Sequence, residues 1–246
     1  MNKRFMTLIW HVAPACLLWI SGVVVSWQDY GQDATPPRHA VFGDPRRQEA
    51  VVRREACDVF YDNVRKVPLW VQYRVTAEDV EPKVDRPPRF YPDRLLPVSW
   101  RVQPSDYDGT GMDRGHQAPE ADMRRNADVA AEAMLMSNIA PQRPEFNRNG
   151  WRKLEAAVRE KIRWSDEAII VTGPVFQHDH CTIGPAEVVV PGGFFKVVAL
   201  KKGEQWTVEG YEAPQSASDW EPERMKQDVR AISRQTGFEF FPNIKR

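Results

Sequence analysis

Residues 151–164, WRKLEAAVREKIRW, set Trp151, Leu154, Val158 and Ile162 at spacings of three and four, the period of a helix with one apolar face. Such a stripe is stable in water only against a second apolar surface, which the rest of the chain must supply. Segments on both sides of it read as strands. Ahead of it, DVFYDNVRKVPLWVQYRVT has two apolar stretches around a polar DNVRK centre. That is the pattern of a hairpin whose second strand alternates Leu69, Val71, Tyr73 and Val75. Behind it lie EAIIVTGPVF, AEVVVPGGFFKVVAL and EQWTVEGYEAP, followed by a second helical stretch, EPERMKQDVRAISRQ, with Gly237 as its stop. The expected fold class is mixed α+β with an antiparallel-leaning sheet.

A chain of 246 residues with 42% hydrophobic content buries a sizeable core, and one globular domain accounts for most of it. Lys and Arg number 34, as do Asp and Glu, which excludes a protein that coats polyanions by bulk charge but leaves room for a local basic cleft. The N-terminus departs from this globular character. Lys3 and Arg4 precede an apolar run from Phe5 to Trp27, long enough as a helix to cross a bilayer, with no small-residue cleavage site after it. Residues 1–27 therefore read as an uncleaved membrane anchor with a cytoplasmic start, and the domain faces the periplasm or exterior. A removed secretion signal is the alternative. Residues 28–54, rich in proline and charge without periodicity, read as a linker, and residues 55–246 as the domain. Cys16 lies in the apolar run. A bond between Cys57 and Cys181 is permitted but not fixed by sequence.

The segment DYDGTGMDRGHQAP sets Asp113, Arg114, Gly115 and His116 side by side behind Gly109 and Gly111. Glycines promise irregular backbone that can present a side chain at a surface. A neutral imidazole accepts a proton from water near pH 7, so His116 suits general-base work; the bland alternative is a turn histidine bonded to Asp113. Downstream, SNIAPQRPEFNRNGWRKLE gathers Asn138, Gln142, Asn147 and Glu155 around the start of the helix. Amide and carboxylate oxygens are hard ligands suited to Mg²⁺, although each Asn alone also suits a cap or turn and Glu155 alone a solvated helix face.

In these motifs the chain resembles the DNA/RNA non-specific endonucleases, the ββα-metal (His-Me finger) nucleases that include Serratia-type and endonuclease G-like enzymes. DRGH and SNIAPQ…FNRNGWRKLE carry the likeness. TGPVF at 172–176, VPGGFFKV at 190–197 and TGFEFFPNI at 236–244 extend it over about residues 57–244. The resemblance implies a central, mainly antiparallel sheet flanked by helices. It also implies a sugar-nonspecific endonuclease that hydrolyses DNA and RNA and leaves 5′-phosphate ends. Residue by residue, His116 matches the general base and Asn147, rather than the less favoured Asn149, the protein ligand of one Mg²⁺, for which Mn²⁺ or another divalent ion can substitute. Glu155 matches a carboxylate that holds a water of that ion. Arg114 matches a phosphate-proximal arginine, and Asp113 is counted with the catalytic set; the alternative for Arg114 is an ion pair to Asp113 or Asp122. A further functional arginine falls on Arg86 or Arg89 in VDRPPRFYPD, where the spacing departs from the family pattern and Arg86 is narrowly favoured. Asn138 and Gln142 match a segment that touches substrate or braces the metal helix. DNA and RNA are then the substrates, residues 5–27 the membrane contact, and a homodimer is the assembly known among endonuclease G-like relatives.

These residue types fit the reaction. Attack on phosphorus builds charge on the nonbridging oxygens and the departing 3′ oxygen, which one Mg²⁺ and an arginine neutralise while the imidazole supplies the nucleophile. Only backbone phosphate is engaged, so neither base identity nor the 2′-hydroxyl is needed. Two rivals are a non-catalytic nucleic-acid-binding module of the same fold and a phosphodiesterase with another substrate. The HDHC stretch, His178 to Cys181, fits no familiar zinc spacing, and the nine tryptophans read mainly as core or helix-face residues.

Overall fold

The computed structural model describes residues 50–177, 181–242 and 244. Eleven strands and four helices occur among them. In chain order the strands are β1 (Ala50–Arg53), β2 (Asp58–Asp62), β3 (Val67–Val75), β4 (Asp113–His116), β5 (Ile139–Gln142), β6 (Glu167–Val175), β7 (Thr182–Ile183), β8 (Val188–Val189), β9 (Gly193–Lys202), β10 (Gln205–Pro214) and β11 (Lys226–Gln227). The helices are α1 (Ala127–Ala133), α2 (Arg152–Arg163), α3 (Pro222–Met225) and α4 (Val229–Thr236). Seven strands form one sheet in the order β1-β2-β3-β6-β9-β10-β11, and every adjacent pair runs antiparallel. The fold is α+β, as the sequence indicates.

Both faces of this sheet are covered, and that decides the strand pattern. On one face Val71, Tyr73, Val75, Ile170, Phe194 and Val198 pack with Leu154, Val158 and Ile162 of α2. On the other, Leu69, Trp70, Val171, Phe195 and Val197 pack with Val229 and Ile232 of α4 and with Phe240 and Phe241. The in-out alternation expected for the second hairpin strand is therefore absent: every residue of β3 except Arg74 is buried, the pattern of a strand between two layers. The α2 stripe behaves as expected, with Leu154, Val158 and Ile162 at most 1% exposed. Each such side chain contributes about 1.5–3 kcal/mol by leaving water.

Two expected boundaries move. The stretch read as linker through Arg54 already contains β1, whose residues pair with Asp58–Tyr61 of β2. The single C-terminal helix expected over residues 221–235 is broken. Lys226 and Gln227 pair instead with Tyr211 and Gly210 of β10, and the Asp228 carboxylate accepts from Arg230 N to restart the helix as α4. Gly237, at φ 75°, ends it as expected. Cys57 is buried and Cys181 exposed, and both are free thiols. Among the described residues no helix is long and apolar enough to cross a membrane. The apolar run 5–27, the linker up to residue 49 and His178–His180 lie outside the described residues.

Candidate active site

DRGH forms β4 and IAPQ forms β5, an antiparallel pair with Asp113 opposite Gln142, Arg114 opposite Pro141, Gly115 opposite Ala140 and His116 opposite Ile139. The chain then turns through a π-helical stretch, Phe146–Trp151, directly into α2. Two strands and a helix thus carry DRGH, SNIAPQ and FNRNGW as one unit. Gly109 and Gly111, at φ 71° and 76°, provide the irregular approach to β4. Gly115 serves a different purpose, because a Cβ there would collide with Cδ of Gln142, which crosses it from β5.

His116 is half-buried. Its ring packs on Phe90 at 5.3 Å, and its Nε2, itself buried, has no hydrogen-bond partner among the described residues. Desolvation, and then the Arg86 guanidinium, push its pKa down to about 3, so the imidazole is neutral at pH 7. It is not a turn histidine tied to Asp113, because that carboxylate is engaged elsewhere. Oδ2 of Asp113 accepts from Asn147 Nδ2 at 2.9 Å and from Arg148 Nε at 2.8 Å, while Oδ1 accepts from Arg148 Nη2 at 2.6 Å. Partial burial pushes the Asp113 pKa up, but the hydrogen bonds from Arg148 and Asn147 outweigh it and the net shift is downward. The bond from Asn147 Nδ2 fixes which way the Asn147 amide faces. Among the described residues nothing donates to its Oδ1, which remains a hard oxygen donor. Asn147 is not a helix cap; its N–H donates to Arg143 O, just ahead of the π turn. Asn149 is exposed.

The arginines separate. Arg114 pairs with neither Asp113 nor Asp122 but with Asp108, Nη2 to Oδ1 at 2.6 Å, and with the Pro104 carbonyl, while its guanidinium lies over Phe90 and Tyr107. Arg86 has 56% of its side chain exposed, stands 3.9 Å from Glu120 and is the one whose charge reaches His116. Arg89 is exposed.

Bracing is visible around these groups. Asn138, 1% exposed, uses its amide fully on the backbone: Oδ1 accepts from Ala118 N, and Nδ2 donates to the Ala118 and Ala133 carbonyls. Gln142 is fully buried, and among the described residues neither of its amide atoms has a partner. Glu155 is half-buried on α2. Burial raises its pKa, with Asp122 adding to the rise and Lys196 and Arg159 opposing it.

Sequence reasoning missed several neighbours. Arg148 grips Asp113 with two nitrogens. Arg159, one turn beyond Glu155 on the same helix face, binds Asp122 at 2.5 Å, and that i,i+4 spacing was a usable signal. Gln215 accepts from Arg143 N at 2.6 Å and donates to Pro191 O at 2.7 Å, tying the π turn to the sheet; no local pattern announces it. Trp220 packs edge-on against Phe146 and fills the space beside Gly150.

Comparison with known proteins supplies the context for this geometry. A nuclease from Nostoc sp. is 32% identical over 200 residues, covering 75% of this chain and 70% of its own. Human mitochondrial endonuclease G is 32% identical over 205 residues, covering 78% of this chain and 69% of its own. A solved structure of an EndoG/EndoGI complex matches with a TM-score of 0.75 and 30% identity, covering 80% of this chain and 87% of that one. The sequence profile of the DNA/RNA non-specific endonucleases matches residues 38–246, and on that match the chain belongs to the DNA/RNA non-specific endonuclease family.

Proposed function

We propose that the protein is a Mg²⁺-dependent endonuclease that hydrolyses phosphodiester bonds in both DNA and RNA and leaves 5′-phosphate ends. One observation carries the reading. Asn147 is pinned through its nitrogen by Asp113, so its oxygen is held out as a donor on the turn that follows the β4–β5 pair bearing His116. Among the described residues no three His, Cys, Asp or Glu side chains cluster to cage a metal. A lone hard oxygen fits an ion that keeps most of its hydration, as Mg²⁺ does, and Mn²⁺ or another divalent ion substitutes for it. When bound, the ion supplies charge neutralisation at the phosphate oxygens and the departing 3′ oxygen.

The chain's own residues do the rest. His116, neutral and with Nε2 unspent, accepts the proton of the attacking water at that atom. Arg86, largely exposed beside it, meets the phosphate, and removing it costs on the order of 3 kcal/mol of transition-state stabilisation. Arg114 reaches substrate from its Asp108 partner, and Glu155 would hold a water of the ion when it is bound. Asp113 acts through Asn147, and Asn138 and Gln142 brace the strands. The apolar run 5–27, in this reading, anchors the domain facing the periplasm or exterior.

The test is digestion of supercoiled plasmid and of ribosomal RNA by the purified protein in Mg²⁺ and in EDTA, with 5′ ends assayed by ligation. Cleavage of both substrates in Mg²⁺ only, into ligatable products, is expected. Cleavage that persists in EDTA, or of one nucleic acid alone, contradicts the reading.

A further inference from the structure

One charged group remains unexplained by this chemistry. Lys196 sits mid-strand in β9, opposite Thr172 of β6 and Tyr211 of β10, with none of its surface exposed. Its Nζ has no hydrogen-bond partner among the described residues, and it lies 5.3 Å from the ring centre of Trp151 and 5.9 Å from that of Tyr73. Rings offset part of the cost of burying an ammonium, but an unpaired buried charge is normally neutralised by a counter-charge. Three charged groups surround it: Asp122, which accepts from the Tyr73 hydroxyl at 3.3 Å, Arg159, bound to Asp122, and Glu155, one helical turn from both Trp151 and Arg159 on α2. The first two satisfy each other, with Arg159 Nε 2.5 Å from Asp122 Oδ1. Glu155 makes no hydrogen bond or ion pair with the described residues. Trp151, the ring under Nζ, closes the π turn that carries Asn147 and lies one helical turn before Glu155.

We propose that Lys196 is a positioning residue whose buried ammonium is the counter-charge of Glu155, holding that carboxylate at the metal edge of the site. Asp122 is balanced by Arg159 in direct contact, and Glu155 is balanced by Lys196 through the field of the buried ammonium rather than through a hydrogen bond or ion pair. The directions of their shifts agree: burial lowers the Lys196 pKa while Glu155 opposes that fall, and Lys196 in turn opposes the rise at Glu155. The lysine comes from the sheet and the glutamate from α2, so their attraction acts across the interface between helix and strands.

This role rests on the metal reading above, so the test separates the two. Mn²⁺ binding to the full chain, without nucleic acid, is followed by electron paramagnetic resonance for wild type, Glu155→Gln, Lys196→Met and the double variant. Loss of either partner is expected to weaken binding about tenfold, and the double variant is expected to bind no more weakly than Glu155→Gln alone. No binding by wild type sinks the metal reading itself, and the role of Lys196 with it. Unchanged binding in a folded Lys196→Met, or losses that multiply independently in the double variant, overturns the Lys196 role alone. Should Lys196→Met not fold, the double variant, in which both charges leave together, decides against Glu155→Gln. Equal affinity upholds the pairing; a further loss, or failure to fold, contradicts it.

Discussion

The proposed chemistry turns on how two side chains are left unspent. Asn147 has its nitrogen committed to Asp113, and Asp113 is in turn gripped by Arg148, so the amide oxygen is free by elimination. His116 is held against Phe90 with Nε2 unpartnered, and burial beside Arg86 drives its pKa down to about 3. The sign follows directly. A depressed histidine pKa means the neutral, proton-accepting form persists from alkaline pH down to about pH 3, and the stability tied to that neutral form fades only as pH falls from about 6.5 towards 3. In a ¹³C or ¹⁵N NMR titration of the metal-free protein, the His116 ring is expected to stay in its neutral signature between pH 8 and pH 5. A midpoint near 6.5 would show that the ring is solvated and the burial argument wrong. DRGH, Asn147 and Glu155 stood out in the sequence as candidates because their types and order suit the proposed chemistry. Their surroundings did not: Arg148 and Gln215 make contacts that span the fold, and only the i,i+4 placement of Arg159 left a local trace.

At the scale of elements, the β4–β5 pair, the π turn and α2 form the frame, and two close approaches lock it. Gln142 crosses Gly115 within the strand pair, and the Trp220 indole lies where a Cβ of Gly150 would stand. Gly150→Ala is therefore expected to force the indole or the π turn aside, lowering unfolding free energy by about 1–3 kcal/mol in urea titration. Stability within error of wild type would mean that Trp220 moves without cost. Helix α2 was readable because its stripe has one partner surface, the sheet. The strands were readable as strands but not in their facing, since a sheet covered on both sides erases alternation in β3. The break between α3 and α4 was hidden because helical periodicity continues through Lys226 and Gln227, whereas tertiary pairing with β10 captures those two residues for the sheet.

At the scale of the molecule, the sheet separates two packed cores. One face, with α2 and the β4–β5 pair, carries the candidate site together with the larger core; the other is closed by α4 and the C-terminal phenylalanines. Balanced overall charge places the work of holding a polyanion on a few local arginines rather than on a broad basic surface. Cleavage is thus attributed to a small constellation in which one imidazole takes the proton of the attacking water. The most direct measurement is the rate of plasmid nicking in Mg²⁺ by wild type and by His116→Ala, with the variant's fold checked by circular dichroism and free imidazole added in a parallel series. The variant is expected to nick on the order of 10²–10⁴-fold more slowly, with partial recovery in imidazole. Nicking at the wild-type rate by a correctly folded His116→Ala would contradict the account.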